Sequence, residues 1–393
     1  MTPVAALLWG LAAVSFGNLV LRSYTLASLG DFRVLHEGAM RLVHGESVYA
    51  DPWFLLTPSA LFAVGPFGLL SWHPAFLLWN TLSVLAVGVA VVCTTRAAGA
   101  ALAGPVPAVL LLGLSLSEAL TSTLLLGNLN NSLLLALGSG FLLAERTRRP
   151  VAAGVLLGVA LAVKPVLVLV LLLPALQRRW RTLGWAVAIP AVLNLAGLAL
   201  VPHRGDFLAI ALPAQFEARS TANSSLAAVG PLLGVPVGLV AVLRIAVLVV
   251  AVLAVWRLRA HPDRVLRSAT SYGVLLLATF LASSLSQGYY SMLLLPLLVT
   301  ALSPRSPMRH PLSWLGAYLC LTLDTWWLPQ LGSLNADFAV ARWTAGWLLL
   351  FAVVVTWAWR QGAAGVGQTA PETAGVTGDR VLVGSGAGAQ SSS

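Results

Sequence analysis

Lys164 is the only lysine of the chain, and it stands inside an apolar run, just before Pro165. An ammonium group in the middle of a membrane helix costs roughly 2.5–3.5 kcal/mol on insertion scales, so such a group normally has a partner or a ligand. An anionic group such as a phosphate is the natural partner. The alternative is structural: Lys164 caps backbone carbonyls that Pro165 leaves without a donor.

Asp31 is the acid best placed for catalysis, because it follows the first apolar segment and begins the longest polar connection of the chain. A carboxylate at a membrane boundary can act as general base toward a sugar hydroxyl. The alternative is that Asp31 is a solvated loop acid or the N-cap of the helical-looking stretch 32–43 that follows it.

Other polar residues lie at the ends of apolar segments and suit the recognition of hydroxyl or phosphate groups. Asparagine and tyrosine exchange hydrogen bonds with hydroxyls, whereas histidine and arginine bind anions. Each also has an ordinary interpretation as a turn former, an interface aromatic or a structural loop residue. These candidates are Asn128, Asn130, Tyr289 and Tyr290 for hydroxyl groups, and His203 and Arg204 for an anionic headgroup.

Cys93 and Cys320 both lie in apolar runs and show no metal-ligand spacing, so we predict packing roles for them and neither a metal nor a cofactor. Asn223–Ser224–Ser225 fits a glycosylation sequon, which we expect to be a chance match.

The composition predicts the surroundings of these residues. Hydrophobic residues make up 58% of the 393 residues and charged residues only 9%, which is too few to cover a soluble fold. We therefore predict an all-α polytopic membrane protein. The net charge of +10 comes without a basic run interleaved with aromatics, so we predict no nucleic-acid partner.

Apolar runs separated by polar or basic turns predict about ten spanning helices, and the first is expected to be retained rather than cleaved as a signal. A further run, 151–176, is interrupted at Lys164, and each half is too short to span a core of ~30 Å. Because both flanks are basic, we predict a broken helical hairpin that turns at Lys164. The predicted spans are 4–21, 74–93, 105–124, 131–144, 182–200, 236–256, 268–283, 289–302, 311–328 and 343–359.

The distribution of basic residues predicts the orientation. With the N-terminus inside, fifteen arginines fall in cytoplasmic loops and the tail and six in outer loops, in agreement with the positive-inside rule. We therefore predict a multi-pass cell-membrane protein whose long loop 22–73 faces outward. The membrane domain is predicted to cover residues 1–360, and the Gly/Ala/Ser-rich remainder, 361–393, to form a disordered cytoplasmic tail.

Several short motifs, spread from about residue 5 to residue 360, resemble those of glycosyltransferase family 87, polytopic enzymes with the GT-C fold. One group, Ser284–Met292 with its Gln-Gly-Tyr-Tyr core, resembles a branch of the family that adds arabinofuranose to cell-wall arabinan through α-(1→3) linkages. The motifs are Gly30–Asp31–Phe32, Gly45–Glu46–Ser47–Val48–Tyr49, Thr57–Pro58, Gly65–Pro66–Phe67–Gly68, Gly127–Asn128–Leu129–Asn130, Val163–Lys164–Pro165, Arg178–Arg179–Trp180–Arg181, Asn223–Ser224–Ser225 and Ser284–Met292.

The resemblance implies an inverting glycosyltransferase with an outward-facing site. It implies decaprenyl-phosphoryl-arabinofuranose as the donor, growing arabinan as the acceptor and membrane lipid as the surroundings. It also implies Asp31 as the catalytic base. From their charge we expect Lys164, with Arg204 or His203, to hold the donor phosphate, and we predict Glu46, Tyr49 and Gln287 as further substrate-binding residues.

Two alternatives stay open. The nearer one is a mannosyltransferase of the same family that uses polyprenyl-phosphomannose. The remoter one is a transporter of a lipid-linked sugar, for which paired repeats with two broken helices are expected.

Overall fold

The computed structural model describes residues 2–26, 28–219, 222–323, 329–332 and 334–364. Within these ranges the chain is helical, and the one β-contact is an isolated bridge between Ser117 and Thr322. The α-helices are α1 (Pro3–Thr25), α2 (Gly30–Val43), α3 (Leu61–Val64), α4 (Trp72–Ala98), α5 (Pro105–Ser115), α6 (Glu118–Leu125), α7 (Leu129–Arg146), α8 (Pro150–Val163), α9 (Leu172–Leu176), α10 (Trp180–Leu200), α11 (Leu212–Phe216), α12 (Leu226–Leu232), α13 (Val237–Leu258), α14 (Arg264–Ala282), α15 (Leu295–Leu298), α16 (Pro311–Leu321) and α17 (Leu334–Ala364).

Six helices in the described part of the chain are long and apolar enough to cross a membrane: α1, α4, α10, α13, α14 and α17. The prediction of an all-α polytopic membrane protein is confirmed. Other predicted spans appear as shorter apolar pieces. The run 105–124 is divided at Leu116 and Ser117 into α5 and α6, and the run 289–302 combines 3₁₀ turns with α15. The run 311–328 is helical only to Leu321, and residues 324–328 lie outside the described ranges.

The predicted break at Lys164 is confirmed. Lys164 is extended, with φ −160° and ψ 129°, between α8 and a 3₁₀ segment, Pro165–Leu171. The two ends of the run lie side by side, because Glu145 pairs with Arg179 and the Thr182 hydroxyl donates to Pro150 O over 3.1 Å. The run is therefore a hairpin whose turn reaches into the protein.

The predicted outer loop 22–73 is an ordered cap rather than an open loop. It contains α2, as the helical pattern of residues 32–43 predicted, followed by short 3₁₀ turns and α3. Its own apolar cluster includes the fully buried Phe32, Tyr49 and Phe54, and Trp79 of α4 joins it from below. The larger core lies among α4, α7, α8, α14 and residues 288–302.

The last helix, α17, continues to Ala364, four residues past the predicted domain boundary at residue 360. Residues 361–364 are therefore helical rather than part of a disordered tail. The remainder of the predicted tail, 365–393, lies outside the described residues.

Candidate active site

A cavity of about 380 Å³ lies beneath the cap, where α2, the start of α7, the turn of the hairpin and the segment before Gly288 meet. It combines one carboxylate, one ammonium group and several amide and hydroxyl groups with apolar walls. Of the predicted site residues, it brings together Asp31, Asn128, Asn130, Lys164, Gln287 and Tyr289. These residues are separated by up to 258 positions in the chain, so only the tertiary structure joins them.

The turn before α7 is shaped by Gly127. Its φ of +70° lies in the left-handed region, and a Cβ there would stand 2.7 Å from Cβ of Phe32. A glycine is required because an L side chain would be both strained and blocked. On the other side, Trp79 Nε1 donates to Gly127 O over 2.8 Å. The turn is thus held against α2 and fixes the place of Asn128.

Asn128 has its amide orientation set by the helix that it begins. Its Oδ1 accepts from the backbone N–H of Asn131 over 3.0 Å as the N-cap of α7. Its Nδ2 then faces the cavity and donates to Asp31 Oδ2 over 2.7 Å and to the Tyr289 hydroxyl over 3.0 Å. One residue therefore caps a helix and holds the carboxylate.

Asp31 lies in the first turn of α2, where the helix dipole favours a negative charge. Its Oδ2 also accepts from the Tyr289 hydroxyl over 3.3 Å, and that hydroxyl contacts Gln287 Oε1 as well. Asp31 does not act as the N-cap: that position is Leu29, and no backbone N–H of the described part of α2 donates to the carboxylate. The backbone N–H of Asp31 itself donates to Leu126 O over 3.0 Å. The carboxylate thus accepts hydrogen bonds from side chains of the cavity and none from the described backbone of its own helix.

Lys164 lines the same cavity, with its Nζ 4.9 Å from the centroid of the Tyr290 ring, in cation–π contact. Among the described residues, no carboxylate lies within ion-pair distance of it. One carbonyl in the last turn of α8 has partners from the cap: Ala162 O accepts from the Ser59 hydroxyl over 2.6 Å and from the Thr57 hydroxyl at 3.5 Å. For this carbonyl, Ser59 and Thr57 rather than Lys164 supply the donors.

Four predicted residues lie elsewhere. His203 and Arg204 are exposed and line a separate shallow hollow beside Asp206. Glu46 is exposed on the turn after α2, and Tyr49 is fully buried between Phe54 and Phe207. The sequence placed all four in predicted outer loops, but none of them lines the cavity of Asp31 and Lys164.

Tyr290, the fifth residue that does not line the cavity, contributes through its ring, which lies beneath the ammonium group of Lys164. Tyr290 is 2% exposed, so its ring is buried in the core and does not face the cavity.

Sequence reasoning missed several residues that build the site. Trp53 lines the cavity, and Asn131 donates to Tyr289 O over 3.0 Å, which fixes the tyrosine backbone. Asn223, expected to matter only as a chance sequon, is fully buried and clamps the segment before Gln287. It donates to Ser284 O over 2.7 Å and accepts from the Ser286 N–H over 2.9 Å. The available signal was an asparagine and two serines next to an apolar run.

The fold and the cavity define a class: a membrane protein of apolar helices in which a carboxylate and an ammonium group line one cavity beneath an ordered cap. Comparison with known proteins makes the assignment specific. Residues 54–284 match glycosyltransferase family 87, and the chain belongs to that family. The predicted resemblance is confirmed, and so is the prediction of a glycosyltransferase.

Curated relatives cover nearly the whole chain. It is 34% identical over 370 residues to the alpha-(1->3)-arabinofuranosyltransferase of Mycobacterium tuberculosis strain H37Rv, covering 90% of this chain and 85% of the relative. It is 33% identical to the protein of the same name from Mycolicibacterium smegmatis, with the same coverage. For that of Corynebacterium glutamicum the identity is 31%, with 88% and 85% of the two chains covered.

Proposed function

We propose that this protein is an inverting arabinofuranosyltransferase that moves arabinofuranose from decaprenyl-phosphoryl-arabinofuranose to cell-wall arabinan, forming α-(1→3) branches. The names of the curated relatives support the sugar and the linkage. The observation that carries the proposal is the shared cavity of Asp31 and Lys164, which offers a base and a cation to one substrate.

In the proposed reaction, Asp31 takes the proton of an acceptor hydroxyl while that oxygen attacks the anomeric carbon of the donor sugar. The bond between the anomeric carbon and the phosphate oxygen breaks, and the polyprenyl phosphate leaves with the electron pair. Lys164 stabilises the departing charge, because a fixed cation in a site poor in water acts strongly on it. The leaving phosphate is already ionised, so the reaction needs no general acid.

The asparagines and the aromatic wall have supporting roles in this proposal. Asn128 and Tyr289 hold one oxygen of Asp31, which leaves the other oxygen to meet the acceptor. Asn130, Gln287 and Trp53 line the cavity where the two sugars would lie. Tryptophan and amide groups are suited to sugars, since they pair an apolar face with hydrogen bonds.

The test is a reaction with purified protein in lipid vesicles. We expect transfer from decaprenyl-phosphoryl-arabinofuranose to a synthetic arabinofuranoside acceptor, and linkage analysis should find a new α-(1→3) bond. Polyprenyl-phosphomannose, supplied at the same concentration, is the matched control donor and should give no product. Transfer of mannose alone, or a different linkage, would refute the proposal.

A further inference from the structure

A second cavity, of about 330 Å³, lies at the end of the helical bundle far from Asp31. It is enclosed by the last turns of α4 and α7, the first turns of α14 and residues 296–304. Helix α7 leads from Asn130 in the active-site cavity to Ser139 and Arg146 in the second cavity, so at 1.5 Å per residue the two linings are roughly 14–24 Å apart along this helix. The second cavity therefore takes no part in the proposed transfer.

The charge around this cavity is positive. Arg146 and Arg264 line it, and the Nε of Arg264 is buried without a hydrogen-bond partner among the described residues. Asp263, the one acid in the lining, uses Oδ1 to cap α14 through the N–H of Leu266 over 3.0 Å. No carboxylate of the described chain lies within ion-pair distance of Arg146 or Arg264. The lining thus offers cationic groups that no acid neutralises at close range.

More arginines lie near Arg264, close enough for their charges to interact. Arg179 is paired with Glu145, yet burial, followed by the positive charges of Arg264 and Arg267, lowers its pKa from the ordinary value. Arg267 spends one guanidinium nitrogen on the carbonyls of Arg259 and His261. An anion bound here would relieve the mutual repulsion of these guanidinium groups.

Ser268 provides a second, independent sign of a ligand. Its side chain is 5% exposed, lines the cavity, and has an Oγ with no hydrogen-bond partner among the described residues. It stands four positions after Arg264 in α14, so both side chains lie on the same face of that helix. A buried hydroxyl without a partner is costly, and a ligand oxygen between Ser268 and Arg264 would satisfy it.

An apolar groove of about 420 Å³ adjoins this cavity, and Val299 and Leu302 line both. It runs between α5, α16 and residues 288–302, and its lining is almost entirely apolar. It is open on its outer side, since Val109 and Trp314 are each 50% exposed. Such a surface in a membrane protein faces lipid chains.

We infer that the cavity and the groove together bind an anionic phospholipid, with its phosphate at Arg264, Arg146 and Ser268 and an acyl chain along the groove. The inference rests on charge complementarity and on the adjacency of a basic cavity and an apolar channel. Basic pockets between membrane helices take anionic headgroups in this way. This lipid site takes no part in the proposed sugar transfer, and its lipid is not the sugar donor.

The experiment is a lipid titration of delipidated, detergent-purified protein, with bound lipid counted by native mass spectrometry. We expect phosphatidylglycerol to bind more tightly than phosphatidylcholine. Arg264→Gln should weaken phosphatidylglycerol binding about five-fold, the effect of about one arginine near a lipid headgroup. Arg309→Gln is the matched control, because Arg309 is exposed and lines neither hollow, and its binding should be unchanged.

A second pair of variants tests the groove without changing charge. A Cβ added to Gly113, which lines the groove, meets no atom within 4 Å, so Gly113→Leu fills the groove without a backbone clash. It should lower phosphatidylglycerol binding, whereas Gly88→Leu, on α4 with equal space around it, should not. Equal binding of phosphatidylcholine, preference for a polyprenyl phosphate, equally tight binding of inorganic phosphate, or wild-type binding by both Arg264→Gln and Gly113→Leu would each overturn the inference.

Discussion

At the scale of single residues, the site depends on groups that each have two contacts. Asn128 caps α7 with its oxygen and holds Asp31 with its nitrogen, so the orientation of the amide cannot reverse without losing the cap. Tyr289 binds both Asp31 and Gln287. The carboxylate therefore enters the reaction already positioned, which is where an enzyme gains most from electrostatics and orientation.

Asp31→Asn is expected to lower turnover by about 10²–10⁴-fold, the usual contribution of a general base. The amide keeps the shape of the side chain, so expression and thermal stability should change little. The measurement is initial rate with purified enzyme in vesicles. Glu37→Gln, an exposed residue of the same helix, is the matched control and should keep wild-type turnover. An Asp31→Asn enzyme with more than about a tenth of the wild-type rate, a smaller loss than a base gives, contradicts the assignment.

Lys164→Ala should weaken use of the lipid-phosphate donor, because the cation that faces the leaving group is lost. Lys164→Arg should rescue poorly, since the planar guanidinium does not match the geometry of an ammonium group over Tyr290. The measurement is the dependence of rate on donor concentration for both variants. The melting temperature serves as the control, because Ser59 and Thr57 rather than Lys164 donate to Ala162 O beside the break. Near-normal turnover by Lys164→Ala would leave the lysine without a catalytic role.

At the scale of elements, the site is the meeting point of helix ends and of one broken helix. The hairpin turns at Lys164, and the Ser59 hydroxyl of the cap donates a hydrogen bond to Ala162 O beside that turn. The cap is held in turn by the next outer segment, through Arg219 to Pro52 O over 2.6 Å and Gln215 to Leu55 O over 3.3 Å. Irregular backbone at this depth is tolerated because it is buried in protein or lines the cavity.

Gly127→Ala should disturb the site through the turn that positions Asn128. The left-handed conformation costs an alanine of the order of 1–3 kcal/mol, and the clash with Phe32 adds to it. Gly45→Ala is the matched control, because its φ of +73° is similar but a Cβ there meets no atom within 4 Å. We expect both variants to melt earlier, Gly127→Ala by more, and only Gly127→Ala to lose turnover below its melting temperature. Equal losses of turnover would show that the close approach to Phe32 does not position the site.

At the scale of the whole molecule, polar functions are divided between the two ends of the bundle. The active-site cavity and the ordered cap lie at one end, and the arginine-lined cavity and its groove lie at the other. From the arginine distribution we propose that the capped end faces outward and the arginine-rich end faces the cytoplasm. A polymer outside the cell would then meet the cap.

This orientation predicts the outcome of cysteine labelling in intact cells. In a background with Cys93 and Cys320 replaced by alanine, Glu46→Cys should react with a membrane-impermeant maleimide added outside. Arg309→Cys should react only after the membrane is opened, because it lies at the opposite end. Both positions are exposed in the structure, so accessibility within the protein is equal. The reverse pattern would invert the topology and place the proposed active site on the wrong side.

The sequence by itself determined the class and the break at Lys164, and it identified six of the residues that line the cavity. Composition alone excludes a soluble fold, and a proline next to a lone lysine in an apolar run with basic flanks predicts a break in the helix, because proline lacks the backbone donor. Asp31, Asn128 and Tyr289 were identifiable because polar residues at the ends of apolar runs are few.

The tertiary structure decided which of those ends meet. His203, Arg204, Glu46 and Tyr49 lie in predicted outer loops, as Asp31 and Gln287 do, yet none of the four lines the cavity. Ser59 gave no signal of its role, and the asparagine with two serines at 223–225 did not reveal its partners, since a buried hydrogen bond to a distant carbonyl depends on how helices pack. The chemistry of each side chain can be predicted from the sequence, because it depends on residue type. The site, however, is made of contacts between segments up to 258 positions apart, and only tertiary packing determines those contacts.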